Sequence, residues 1–409
     1  MCSSDLATAI NYMDRQILGI LAPTLQREIG WSEIEYGHIV TAFQAAYAIG
    51  LVGFGRLVDA IGTRAGYAWA MAAWSVATAL HALVRSAFGF GVARFALGLG
   101  QAGNFPAAVK AVAEWFPKRE RALATGLFNS GANIGAILAP LAVPWLAVRA
   151  GWPAAFVVFG ASGVVWLVAW MGLYAAPGES ARVTARELAL IRSDPPDPPS
   201  ERVPWPDLLR HRQTWAFVTG MSFSAPIWWF YLYWLPKFLH QKHGLDLISL
   251  GPPLVAVYTM TCLGSVGGGW LSSALLRRGW SVNASRKTAM LVCALCVVPV
   301  VFAARASNVW AATALIGLAA SAHQGWSANL FTLVSDLFPK RAVASVVGLG
   351  GMFGSVSAMA FSQSAGRILE RTGSYWPMFA IAAGAYVVAL AIMHALVPRM
   401  TPARLADRQ

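Results

Sequence analysis

The chain has 409 residues, of which 57% are hydrophobic and 12% charged, and its mean hydropathy is +0.54. A soluble domain carries about a quarter charged residues, so this balance excludes an ordinary water-soluble fold. The formal net charge of +13 would suggest nucleic acid in a soluble protein, but the basic residues fall in short gaps between apolar runs rather than in one patch, which argues against nucleic-acid binding.

A bilayer-spanning helix needs about 20 mostly apolar residues. The first such run is short: residues 6–10 precede the polar NYMDRQ (11–16), and ILGILAPTLQ follows. The opening MCSSDL looks like translated adapter sequence, so residues 1–6 are expected to be an artefactual start, with helix 1 lacking its first turns. A cleaved signal peptide would need a basic n-region, which is missing here. Eleven further spans are expected at 36–58, 65–84, 88–111, 122–148, 153–176, 213–238, 250–276, 287–306, 308–334, 342–366 and 374–397. The 18 Trp and 38 Gly fit this class, since aromatics gather at bilayer interfaces and small residues let helices approach closely.

The loop at 177–212 carries PDPPSERVPWP, which cannot continue a helix. It divides the chain into six spans over 7–176 and six over 213–397, followed by a tail at 398–409. EWFPKRERALATGLFNSG (114–131) and DLFPKRAVASVVGLGG (336–351) nearly repeat each other, each between the fourth and fifth span of its half. The repeat therefore reads as two homologous six-helix bundles. Most Lys and Arg residues lie in the loops on the side of the termini, so the positive-inside bias predicts both termini, and the 177–212 linker, in the cytoplasm.

Two bundles related by an axis along the membrane normal, with a midplane substrate site between them, resemble the major facilitator transporters. GFGRLVDAIGTR (53–64) resembles that superfamily's loop motif through Gly55, Asp59, Gly62 and Arg64. The resemblance implies an all-α membrane protein with the twelve-helix major facilitator fold of two pseudo-symmetric six-helix bundles. It also implies a gating latch in which Asp59 meets Arg121 or a helix N-terminus, with Arg64 beside it; the alternative is a solvated turn. The counterpart GGGWLSSALLRRG (267–279) has lost the acid.

Asp14 is the acidic residue expected well inside a span, and Arg15, Arg94 and Lys110 the basic ones, with Lys110 near enough to the boundary to snorkel. A charge at the bilayer centre costs about 2.5 to 3.5 kcal/mol on insertion scales, so such residues usually face a cavity. Two arginines in a water-filled cavity make an anion site. With Asp14 beside them, protonation and anion binding would favour each other, as symport requires. The competing reading is a static Asp14 to Arg94 ion pair pinning helix 1 to helix 4.

NYMDRQ, AFQAAYAIG (42–50), RFALGLGQAGNFPAAVKAVAEWFPKRERALATGLFNSGANIGA (94–136) and GWSANLFTLVSDLFPKR (325–341) resemble the anion:cation symporters of the superfamily, and among them the hexuronate and related sugar-acid carriers. The resemblance implies that Asp14 is a proton site, that Arg15 and Arg94 hold or gate a substrate carboxylate, that Tyr12 and Tyr47 offer hydroxyls to the sugar, and that Asn133 contributes an amide. It departs from the pattern at Gln101, where a second carboxylate is common. Glutamine takes up no proton, so coupling by Asp14 alone, weakened coupling, or exchange or facilitated diffusion are the expected consequences. The G-x-G-x-x-G in GLGQAG (98–103) is no dinucleotide site, because it lies inside a spanning helix.

In the second half, the places where galactonate carriers hold sugar-facing groups match Phe331 and Gly354, so that chemistry does not carry over intact. Trp326 and Asn329, one turn apart, are the local candidates for stacking on a sugar ring and bonding its hydroxyls, while packing is the plainer reading of Trp326. Trp228, Tyr231 and Tyr233 on the seventh span are candidates for an outer lid or an aromatic belt. Cys293 and Cys296 read as packed thiols, and no metal or other cofactor is expected.

The function these residues favour is a monomeric inner (plasma) membrane transporter importing an organic anion, most simply a hexuronate or related sugar acid, with protons. An aldonate, aldarate or aromatic acid is the alternative cargo. An intramembrane enzyme would need a nucleophile with its base or a metal set, and a sensor would need a signalling domain larger than the 177–212 loop.

Overall fold

The computed structural model describes residues 2–180, 183–191, 193 and 204–403; at 2, 3, 52, 55, 59, 118–130, 340, 341 and 344 it describes the backbone alone. Among these residues all regular structure is helical: α1 (Cys2–Ile29), α2 (Glu33–Leu80), α3 (Ala87–Gln101), α4 (Asn104–Trp115), α5 (Lys118–Ala150), α6 (Trp152–Leu173), α7 (Ala185–Ile191), α8 (Trp205–Leu209), α9 (Arg212–His243), α10 (Gly251–Arg277), α11 (Val282–Val297), α12 (Val309–Leu337), α13 (Lys340–Thr372) and α14 (Trp376–Leu396). Short 3-10 turns follow α2 (His81–Leu83) and α11 (Val298–Arg305). Seven stretches among the described residues are individually long and apolar enough to cross a bilayer. Contacts divide the chain into two compact units, Met1–Pro198 with Asp246–Pro252, and Pro199–Leu245 with Pro253–Gln409.

In the first unit, α2 contains two of the expected spans. It starts at a capping box, in which Glu35 N donates to Ser32 Oγ at 3.1 Å and Ser32 N donates to the Glu35 carboxylate at 2.8 Å. The loop expected between the spans shrinks to a break at Gly62, whose φ of +83° favours glycine. The span expected at 88–111 is instead broken between α3 and α4. Pro106 explains this, because it cannot donate to the Ala102 carbonyl and its ring crowds that residue. The break is tied down: Tyr67 Oη donates to Asn104 Oδ1 at 2.7 Å, and Asn104 Nδ2 donates to Thr8 Oγ1 at 3.3 Å.

Between membrane helices there is little hydrophobic driving force, so close backbone approach through small residues matters more. A Cβ at Gly98 would strike the Phe43 carbonyl and one at Gly100 the Trp74 backbone. These contacts press α3 onto α2 and aim Arg94 and Gln101 inward. Large apolar side chains remain on the outside of both units, among them Phe88, Val165, Leu263 and Val266, as expected of surfaces that meet acyl chains.

The second unit packs α9 with α12, α13 and α14, and α11 with α12. Residues following α14 cross its end: Lys287 Nζ donates to the Val397 carbonyl at 2.8 Å, and Ala403 N donates to the Leu337 carbonyl at 2.8 Å.

Candidate functional site

All three charges singled out on the sequence are brought together in the first unit, and all are buried: Asp14 is 1% exposed, Arg15 5% and Arg94 0%. Helical spacing does this simply. Asn11 and Arg15 are one turn apart on α1, and Arg94 and Gln101 are two turns apart on α3, so each pair shares a face. The two guanidinium groups lie over one ring, Phe43 of α2, at 5.3 Å for Arg15 and 4.5 Å for Arg94. Arg15 is also 4.9 Å from the ring centre of Tyr12 and 4.8 Å from that of Tyr47. Cation–π contacts of this kind strengthen when desolvated.

None of the three charges stands open to solvent. The rings of Tyr12, Phe43 and Tyr47 surround Arg15. A groove of about 450 Å³ does open on this unit, but Glu35, His38, Phe88, Val92 and Phe95 line it, and none of the three charges does.

Gln101, 0% exposed, joins α3 to α1. Arg15 Nε donates to Gln101 Oε1 at 3.3 Å and Arg15 Nη2 to Asn11 Oδ1 at 3.1 Å; Gln101 Nε2 donates to the Asn11 carbonyl at 3.1 Å. The amide thus works at both ends. An ionised glutamate could accept from Arg15 but would set an oxygen against the Asn11 carbonyl, whereas a protonated one could reproduce both bonds.

Both Asp14 carboxylate oxygens are buried without a hydrogen-bond partner, and Arg94 bears on the carboxyl electrostatically. Thr78 lies beside the same carboxyl, with its hydroxyl also buried. Buried groups left this way are the exception in proteins and call for an explanation.

The remaining expectations land in varied places. Tyr12, Tyr47 and Asn133 are half-buried. The side chains of Asp59 and Arg121 lie outside the described residues, while Arg64 donates to the Met171 carbonyl and its own carbonyl accepts from Trp170 Nε1 at 3.0 Å. Lys110 Nζ donates to the Val58 carbonyl at 2.8 Å. In the second unit, Trp326 is 0% exposed and packs edge-on against Tyr386 at 5.3 Å. Asn329 directs Nδ2 to the Gly268 and Gly325 carbonyls, both at 2.9 Å, and so joins α12 to α10. His323 shares a hydrogen bond of 2.6 Å with Tyr386 Oη and stacks on Trp228.

Sequence reasoning missed several groups. Asn11, one turn before Arg15, carries the Gln101 contact, and Phe43 underlies both arginines. Lys237 is a further buried cation within a span, at 0% exposure and 5.7 Å from the Trp234 ring centre. Its signal was the lysine in WLPKFL, set directly in an apolar run.

Comparison with known proteins agrees with this architecture. The model of the Major Facilitator Superfamily matches residues 5–362. The chain belongs to the Major Facilitator Superfamily. It is 32% identical over 384 residues to the hexuronate transporter of Escherichia coli (strain K12), covering 92% of this chain and 88% of the relative. The galacturonate transporter of Dickeya chrysanthemi is 31% identical over 299 residues, covering 72% and 86%. Among solved structures, a bacterial homolog to the human lysosomal transporter Spinster, inward-facing and occupied, superposes with a TM-score of 0.78 at 16% identity over 97% and 96% of the two chains. A D-xylose-proton symporter superposes at 0.77 and 13% identity over 98% and 97%. These superpositions speak to the fold. This major facilitator is therefore a multi-pass membrane transporter and not an enzyme, as its sequence suggested.

Proposed function

We propose that this major facilitator imports a sugar-acid anion, a hexuronate or close relative, by proton symport with alternating access, as a monomer in the inner (plasma) membrane with both termini in the cytoplasm. The observation that carries the reading is the pair of guanidinium groups buried over Phe43 beside an acid whose oxygens lack hydrogen bonds, in a chain whose relatives are named as hexuronate and galacturonate transporters. Two arginines give a carboxylate more positive charge than it needs to be neutralised, and bidentate hydrogen bonding gives it a fixed orientation. Asp14 then takes up a proton as the anion arrives, so that the charge of the site is the same loaded as empty.

In this reading Tyr12 and Tyr47 must swing off Arg15 to admit the anion, and their hydroxyls and the Asn133 amide then meet the sugar. Trp326 offers a ring face and Asn329 its remaining Oδ1. Asp59, Arg64 and Arg121 form the cytoplasmic latch. A second reading, an exchanger or facilitator with weakened coupling, is favoured by one observation: the Gln101 amide, which carries no titratable proton, occupies the contact with Arg15.

The test is uptake of labelled glucuronate into proteoliposomes, with galactonate, glucarate and benzoate as competitors. Accumulation driven by an acid-outside pH gradient supports symport. Equilibration without accumulation selects the second reading, and no uptake of any sugar acid refutes both.

A further inference from the structure

The second copy of the loop motif, GGGWLSSALLRRG, has no part in the function above. Laying Gly53 and Gly55 on Gly267 and Gly269 puts Ser273 where Asp59 stands and Arg278 where Arg64 stands, with Arg277 just before it. In the first copy Arg64 is engaged, donating to the Met171 carbonyl. In the second, Arg277 and Arg278 are both exposed, and among the described residues neither forms a hydrogen bond or an ion pair. The lost acid explains this. Ser273 and Arg277 are four residues apart on α10, the spacing at which a carboxylate and a guanidinium pair along a helix. Asp246 and Asp336 have no acidic residue between them, and Asp336 is taken by Arg286 at 3.0 Å.

The surface leading to these arginines is apolar. Leu263, Val266 and Trp270 are largely exposed and follow one another at helical spacing, and Arg277 stands two turns beyond Trp270 on the same face. The chain then turns at Gly279, whose φ is +85°, and Trp280 and Val282 follow, both exposed. This turn lies at the end of the unit where the chain finishes, because Met400 N donates to Asn283 Oδ1 of α11 at 3.2 Å. An apolar track thus runs into two cations and a tryptophan, the residue that favours the boundary between acyl chains and headgroups.

We propose that this turn holds an anionic phospholipid of the cytoplasmic leaflet, with its phosphate on Arg277 and Arg278 and its acyl chains along Leu263, Val266 and Trp270. Guanidinium groups meet a phosphate through paired, charge-assisted hydrogen bonds. A lipid, unlike free phosphate, also covers the apolar track. The contact is independent of the sugar-acid reading and takes from it only the topology that puts this end in the cytoplasm.

Native mass spectrometry of the purified full-length protein in detergent measures the lipid retained as phosphatidylglycerol or phosphatidylcholine is titrated in. The wild type should hold phosphatidylglycerol preferentially. Arg277→Gln with Arg278→Gln should weaken that retention by roughly fivefold for each arginine lost. Ser273→Asp restores the acid of the first copy, gives Arg277 a partner, and should act like the loss of one arginine. Arg186→Gln with Arg210→Gln removes the same charge from the 177–212 linker and should leave retention as it was. The proposal is overturned if the wild type shows no preference, if the linker variant loses as much, or if inorganic phosphate at the lipid's own concentration displaces it. Should the double variant at 277 and 278 not fold, Ser273→Asp decides, with undiminished retention counting against the site. Glucuronate binding by the same samples is expected to be equal throughout, so the lipid contact can fail while the carrier reading stands.

Discussion

The two units carry the same repeated motif and satisfy its leading acid in different ways. Glu114, which opens EWFPKR, accepts from the hydroxyls of Thr63 and Tyr174, each at 2.6 Å. Asp336, which opens DLFPKR, instead accepts from the Arg286 guanidinium at 3.0 Å, and Arg286 also donates to Ser272 at 2.8 Å. Away from the motif the contrast reverses. The first unit buries Asp14, Arg15 and Arg94 around Phe43, while the second buries a largely neutral set of Trp326, Asn329, His323 and Tyr386, with Lys237 as its buried cation. The first unit thus concentrates buried charge and the second buried neutral polar and aromatic groups; on the proposed function this gives charge recognition to the first and shape to the second.

The largest effect that could break this contrast is on binding. Arg94→Ala should weaken glucuronate binding about 100-fold, since losing one partner of a buried charged pair costs roughly 2 to 5 kcal/mol and 1.4 kcal/mol is about tenfold. Trp326→Phe should change affinity less than about tenfold, because removing one ring from a packed aromatic pair costs on the order of 1 kcal/mol. Equilibrium binding in detergent compares the two, and equal losses would erase the division of roles.

A smaller effect concerns Gln101. In Gln101→Glu the neutral form reproduces both hydrogen bonds and the ionised form opposes the Asn11 carbonyl, so glucuronate affinity should acquire a new pH-dependent step absent from the wild type. Parallel pH titrations of binding check this, and superimposable curves would remove the amide's special role.

Next come the acids of the repeat. Arg286→Leu strips a charged donor from Asp336 and should lower stability by about 1.5 kcal/mol, the low end for a hydrogen bond to a charged group because Asp336 is partly exposed and screened. Tyr174→Phe removes a neutral donor from Glu114 and should cost about 1 kcal/mol. Thermal unfolding in detergent ranks them, and the reverse order would contradict the comparison. The smallest effect is at Asp246, outside the spans: the Ser249 backbone N–H, followed by its hydroxyl, holds this carboxyl below its usual value. Its contribution is present above the unfolded value of 3.8 and fades as pH falls through the lowered native one. Asp246→Asn should therefore flatten a slight loss of stability at acid pH.

Much of the architecture could be read from the residues because apolar runs of bilayer length leave few alternatives, and because the FPKR repeat marks equivalent turns. The breaks were harder. Gly62 stood in plain view, yet a one-residue reversal and a loop look alike in a motif rich in small and polar residues; Pro106 sat in a run apolar enough to be taken as unbroken. At the site, intramembrane charge singled out Asp14, Arg15 and Arg94 on energetic grounds, and the structure joins them. Partners of neutral polar groups stayed hidden, since nothing in the spacing says that Asn329 bonds two backbone carbonyls or that the Gln101 amide works at both ends. The Asp59 to Arg121 latch lies outside the described side chains.

The most direct measurement is glucuronate affinity as a function of pH for wild-type protein and Asp14→Asn. If a buried acid takes up a proton as the arginines take up the anion, wild-type affinity rises as pH falls, and the Asp14→Asn curve has a distinctly shallower slope. Two curves that overlay would contradict that coupling.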